Sequence, residues 1–129
     1  MRTLKFYKTV FLIAAAYDLI LGVSFFLLYP IVYSMFNIPL PETEAYLQLN
    51  AAFVFAQGIL YWFVYRNIKR NVDIVKVAVA YKLAYAWVAL YNWGIGELPH
   101  VVFAVFGLID IAFIALFLLF LTDYRKVTE

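Results

Sequence analysis

Four apolar stretches, each about 20 residues long, constrain this chain more than any other feature. They cover residues 10–29, 46–65, 74–93 and 101–121. A helix needs about 20 largely apolar residues to cross the hydrocarbon core of a bilayer. In lipid such stretches become helices, because a helix satisfies its own backbone hydrogen bonds. The sequence therefore predicts four membrane-spanning helices in a single transmembrane domain over residues 1–129.

The composition supports this class of protein. Hydrophobic residues make up 67% of the chain and charged residues 14%, whereas soluble domains are roughly half apolar. Cysteine is absent, which excludes disulfides, thiolate metal sites and cysteine nucleophiles. The net charge of +2 comes from basic residues at helix ends, so we expect the lipid bilayer as a partner and no nucleic acid.

The distribution of Lys and Arg predicts the orientation. Basic residues precede the first span, fill the second connection, lie at the edge of the third span, and follow the last span. They are Arg2, Lys5, Lys8, Arg66, Lys69, Arg70, Lys76, Arg125 and Lys126. The other two connections carry Glu42, Glu44 and Glu97 but no Lys or Arg. By the positive-inside rule, both termini should be cytoplasmic. We predict an all-α, up-down four-helix bundle, multi-pass in the inner (plasma) membrane.

Two segments near the first span need interpretation. The span follows basic residues, as in a signal peptide, but it is too long and lacks a small-residue cleavage pattern, so we expect it to be retained. The connection over residues 30–46 contains an apolar run at 31–36 before Pro39. A short interfacial helix and an ordered apolar loop explain that run equally well.

Each predicted span places one polar side chain at a similar depth. At about 1.5 Å of rise per residue, Asp18, Gln57 and Lys82 lie roughly 12 Å from the cytoplasmic ends of their spans, and Asp110 lies within one turn of that level. A polar group that faced lipid would lack hydrogen-bond partners. The shared depth predicts a polar layer inside the bundle.

Small residues at helical spacing flank these polar positions and indicate inward-facing sides. The stripes are Ala14, Asp18 and Gly22; Ala78, Lys82, Ala86 and Ala89; and Ala104, Gly107 and Asp110. Small residues permit close helix contact in membranes. Tyr61 shares a face with Gln57, and Tyr85 lies one turn from Lys82. The predicted ligand or proton site is therefore Asp18, Gln57, Tyr61, Lys82, Tyr85 and Asp110.

The charges of this layer do not balance. Two carboxylates and one ammonium leave a charge of minus one, which low dielectric disfavours. A protonated Asp, a cation, a water cavity or another partner could compensate, and we predict a protonated Asp. Asp110 is the better candidate for proton exchange, whereas Lys82 would hold an anionic group or pair with Asp18.

Other candidate chemistry is weaker. His100 could ligate a metal or haem, but it is the only histidine and a place at the membrane interface explains it better. There is no phosphate-binding loop, no metal-ligand spacing and no nucleophile with a base. We therefore predict no metal, identify no cofactor and favour a role other than catalysis.

The order of these motifs resembles that of small bacterial four-helix membrane proteins of the DoxX-like kind. The motifs are Tyr17-Asp18 and Gly22, Gln57-Gly58 and Tyr61, Lys82-Leu83, and Gly107 with Asp110. The resemblance implies a four-helix fold and an association with membrane redox or respiratory systems. The lack of cysteine argues against direct thiol chemistry here.

Two functions stay open at this point, and an intramembrane enzyme is a third for which paired carboxylates without a metal set or nucleophile specify no chemistry. In the first, the buried polar site binds a small or amphipathic ligand or handles protons. In the second, the protein is an accessory or assembly subunit of a larger membrane complex, and its buried charges are structural. A homo-oligomer is compatible with both.

Overall fold

The fold is an all-helical bundle, seen in a computed structural model that describes residues 3–98 and 100–126. Its helices are α1 (Leu4–Phe26), α2 (Tyr29–Met35), α3 (Glu44–Arg66), α4 (Val72–Gly94) and α5 (Val101–Asp123). These described ranges contain no strand. The predicted fold class is confirmed.

The four long helices can each cross a membrane. Every one has 23 residues and enough apolar character for a span. At 1.5 Å per residue, such a helix is about 35 Å long, slightly more than the hydrocarbon core. The side of the membrane on which the termini lie stays a prediction.

The first helix differs most from its predicted span, because it begins six residues earlier and ends three residues earlier. The Thr3 hydroxyl caps the helix by accepting a hydrogen bond from the Phe6 amide at 3.2 Å. A helix can extend through Lys5 and Lys8, whereas hydropathy marks only the apolar part. Pro30, in the first turn of α2, cannot continue α1 without loss of a backbone hydrogen bond.

The connection after α1 does form a short helix, α2. Its buried residue is Tyr33, whose ring lies 6.2 Å from those of Phe25 on α1 and Phe103 on α5. The helix therefore covers one end of the bundle, where α1 ends and α5 begins.

Helices α1 and α3 pack most closely, because glycines on each allow backbone contact. A methyl group at Gly22 would lie 2.6 Å from Cβ of Phe55, and one at Gly58 would lie 2.9 Å from the backbone nitrogen of Leu19. Helices α4 and α5 form the second close pair. Gly107 helps there, since an added methyl would lie 3.3 Å from Cβ of Ala89.

The two helix pairs meet around an apolar core in the half of the bundle where α1 begins and α5 ends. Phe11 and Phe117 stack there, with ring centroids 4.9 Å apart. The core comprises Leu4, Tyr7, Val10, Phe11, Ala14, Ala15, Tyr61, Val64, Ile68, Val72, Val75, Ala78, Phe113, Phe117 and Phe120. This half of the bundle is densely packed, and the polar layer lies at its inner boundary.

Candidate functional site

Three charged side chains from three helices meet inside the bundle. Lys82 Nζ on α4 donates a hydrogen bond to Asp110 Oδ1 on α5 at 2.9 Å. The same nitrogen lies 3.7 Å from Asp18 Oδ1 on α1. All three residues are buried, with exposed fractions of 5% for Asp18, 2% for Lys82 and 9% for Asp110. We call this group the ion cluster.

Aromatic rings surround the Lys82 ammonium on its remaining sides. Its Nζ lies 5.0 Å from the ring centroid of Phe113, 5.3 Å from that of Tyr61 and 5.8 Å from that of Tyr17. A cation within about 6 Å of an aromatic face is attracted by the ring quadrupole. The carboxylates and rings together stabilise the charge of Lys82.

A cavity lies between the helices on the other side of the ion cluster from the apolar core. Its volume is about 70 Å³, well above the roughly 10–15 Å³ that is the minimum for a single water. All four long helices contribute to its wall, which is formed by Tyr17, Asp18, Leu21, Phe25, Leu47, Asn50, Ala51, Val54, Tyr81, Lys82, Tyr85, Phe103, Phe106 and Asp110. We call it the inter-helix cavity.

The inter-helix cavity has a polar end and an apolar end. The ion cluster forms the inner end, next to the apolar core. Further along, the wall is formed by Leu21 and Phe25 of α1 and by Phe103 of α5. The exposed side chain of Asn50 adds a polar group on α3. Such a shape suits a molecule with a polar head and an apolar body.

The structure divides the six predicted site residues into two groups. Asp18, Lys82, Tyr85 and Asp110 line the cavity. Gln57 and Tyr61 do not line it; they lie at the same depth on α3, buried against the apolar core. There the Gln57 side-chain amide donates to the Tyr61 hydroxyl at 3.3 Å. The Tyr61 ring contacts the Lys82 ammonium of the ion cluster, and Gln57 holds the hydroxyl of that ring.

Sequence reasoning missed three polar residues of the cavity wall. Tyr17 and Tyr81 each precede a charged residue of the cluster, and adjacent positions do not share a helix face. Asn50 shares a face of α3 with Gln57 but was not among the six predicted site residues. The useful signal was the tyrosine directly before Asp18 and before Lys82, because such a residue can contact the same site from the flank of the helix.

The Tyr17 hydroxyl is the cavity's unusual polar atom. It is buried, and it has no hydrogen-bond partner among the described residues. Buried hydroxyls normally have one, since an unpaired polar group costs about 1–3 kcal/mol. The arrangement can therefore accept a hydrogen bond from, or donate one to, a molecule in the cavity.

His100 has a structural role in this fold. Its Nδ1 accepts a hydrogen bond from the Val102 amide at 3.0 Å and so caps the start of α5. Within residues 3–98 and 100–126, no group of three His, Cys, Asp or Glu residues could hold a metal ion.

Comparison with known proteins adds no relative. No family model, curated protein or solved structure matches the chain. The similarity to DoxX-like proteins therefore stays a prediction. The chain is a small helical membrane protein with buried charged residues.

Proposed function

We propose that this protein binds a small amphipathic ligand in the inter-helix cavity. One observation carries the proposal: the cavity ends on the ion cluster beside an unpartnered Tyr17 hydroxyl. Ligand sites are typically concave and mostly apolar, with a few polar groups that fix orientation. The cavity combines these features in the middle of a four-helix bundle.

The ligand would lie with its polar head at the ion cluster. Tyr17 would exchange a hydrogen bond with the head, while Leu21 and Phe103 would contact the apolar body. The apolar core beyond the cluster favours binding at a closed end over passage through a continuous pore. Gln57 and Tyr61 would then hold Lys82 in place and would not touch the ligand.

We also propose that the cavity lies in the outer half of the inner (plasma) membrane. The support is the distribution of Lys and Arg, which predicts cytoplasmic termini. With that orientation, the apolar core faces the cytoplasm and α2 lies at the outer surface. A ligand would then enter from the outer leaflet or from outside the cell.

Two neighbouring alanines on α3 allow a matched test. Ala51 is buried and lines the cavity, whereas Ala52 is exposed on the same helix. Ala51→Leu would place three further carbon atoms in the cavity, but Ala52→Leu would point them at lipid. Binding can be measured by saturation-transfer NMR on protein in nanodiscs, with benzyltrimethylammonium, neopentylbenzene and phenylmethanesulfonate as probes.

We expect at least one probe to bind the wild-type protein, with its signal lost in Ala51→Leu and kept in Ala52→Leu. Circular dichroism would check that both variants fold. Absence of any signal that depends on Ala51 would contradict the proposal. A stoichiometric partner that co-purifies and covers the cavity would favour the accessory-subunit alternative instead.

A further inference from the structure

We infer that the ligand of the inter-helix cavity is a hydrophobic organic monocation, which replaces a proton at the ion cluster. The inference rests on the proposed function and adds the sign of the ligand's charge. It follows from the charges that line the cavity, the burial of the Lys82 ammonium, and the aromatic rings of the wall.

The lining charges sum to a negative value. Among the described residues of the wall, Asp18 and Asp110 are the acidic ones and Lys82 is the basic one. With all three ionised, the cavity holds one uncompensated negative charge. In a low dielectric that charge requires a proton or another cation.

An anionic ligand has no free partner in this site. The Lys82 side chain is 3% exposed, and its ammonium already contacts two carboxylates and three rings. An anion would have to displace Asp110 from a 2.9 Å hydrogen bond and would leave that carboxylate buried without its partner. The expectation that Lys82 holds an anionic group is therefore not favoured by the geometry.

Asp18 is the better carboxylate for the exchangeable cation. Asp110 accepts the short hydrogen bond from Lys82, whereas Asp18 has the longer contact of 3.7 Å. Less of the charge on Asp18 is therefore compensated by the ammonium. This reverses the sequence-based preference for Asp110 as the proton-exchanging group.

The cavity wall suits a cation with an apolar body. Six aromatic residues line it: Tyr17, Phe25, Tyr81, Tyr85, Phe103 and Phe106. Aromatic faces attract organic cations and bind their apolar substituents at the same time. A carboxylate at the closed end and rings along the sides form the type of site that recognises an ammonium head.

Binding would couple to proton release. Without ligand, one carboxyl of the cluster carries a proton and the cavity is neutral; when the cation binds, that O–H bond breaks and the proton goes to water. The titratable groups facing Asp18 are Lys82 of α4 and Asp110 of α5, and the tyrosines of the site are Tyr17, Tyr61, Tyr81 and Tyr85. His100 caps the start of α5, ten residues before Asp110.

The three probes of the previous section separate charge from shape. Benzyltrimethylammonium is a permanent cation, neopentylbenzene is its neutral isostere, and phenylmethanesulfonate is an anion of similar size. In nanodiscs, we expect the wild-type protein to bind the cation at least about tenfold more tightly than either of the others. Asp18→Asn should abolish this preference, whereas Asp73→Asn, at a 95% exposed side chain, should retain it.

A second measurement uses only the wild-type protein, so it does not depend on whether Asp18→Asn folds. Affinity of the wild-type protein for benzyltrimethylammonium should fall as pH is lowered, since protons compete for the same carboxylate, and that for neopentylbenzene should stay constant. A weakly buffered sample should release protons when the cation is added.

The outcomes distinguish the two proposals. Equal binding of cation and isostere, or a preference for the anion, would overturn the inference while leaving a ligand-binding cavity. A cation affinity that does not change with pH would overturn the proposed replacement of a proton by the cation. If no probe binds in a manner that depends on Ala51, both proposals fail.

Discussion

Lys82 and Asp110 lie 28 positions apart on neighbouring helices and form a buried hydrogen bond of 2.9 Å. The bond joins α4 to α5, which already pack closely through small residues. Asp18, on the other side of the same ammonium, joins this pair to α1. The ion cluster thus links the two close helix pairs at the boundary between the apolar core and the cavity.

Replacement of Lys82 tests the energetic role of the cluster. Lys82→Met should lower the free energy of unfolding by about 3–5 kcal/mol, because it leaves buried carboxylates without their partner. Lys76→Met should change it by less than about 1 kcal/mol, since Lys76 forms an exposed ion pair with Asp73. Unfolding by titration with a denaturing detergent measures both. Adding Asp18→Asn and Asp110→Asn to Lys82→Met should recover most of the loss; no recovery would contradict this account.

Close contact between α1 and α3 depends on two glycines. Gly22→Ala should destabilise the protein by about 1–3 kcal/mol, because its methyl group would overlap the backbone of Phe55. Gly94→Ala is the control, since nothing lies within 4 Å of the added methyl. Thermal unfolding followed by circular dichroism compares them. Equal stability of the two variants would rule out the close contact.

Two tyrosines with buried hydroxyls should respond differently to loss of that group. Tyr61→Phe removes the partner of the Gln57 amide and should cost about 1–3 kcal/mol. Tyr17→Phe removes a hydroxyl that has no partner among the described residues, so its stability should stay within about 1 kcal/mol of the wild type. The same unfolding assay measures both variants. A larger loss of stability for Tyr17→Phe than for Tyr61→Phe would contradict the assignment of a hydrogen-bond partner to Tyr61 and none to Tyr17 among the described residues.

The membrane orientation can be tested cleanly because the chain has no cysteine. Glu97→Cys places a single thiol in the connection between α4 and α5, and Lys69→Cys places one in the connection between α3 and α4. With cytoplasmic termini, an impermeant maleimide should label position 97 in intact cells and position 69 only after the membrane is permeabilised. The reverse pattern would place the inter-helix cavity in the cytoplasmic half.

The depth of the charged residues in the membrane could be predicted from the sequence, but the contacts between them could not. Asp18, Lys82 and Asp110 were identified because a buried charge in an apolar span needs a partner. That Lys82 lies nearer to Asp110 than to Asp18 depends on how far each helix is rotated. Hydropathy does not encode that rotation.

The sequence by itself determined the four spans, the short connections and the small-residue stripes that face inward. Each is a property of a single helix, set by apolar length and by the 3.6-residue period. Only the tertiary structure decided that one half of the bundle is filled and the other encloses a cavity. One half is filled because the rings of Phe11, Phe117 and Phe120 pack between the two helix pairs, whereas in the other half the side chains between the pairs leave space for the cavity. The tertiary structure also placed Gln57 behind the site and Tyr17 within it, because helix crossing and rotation determine which flank of a helix meets the cavity.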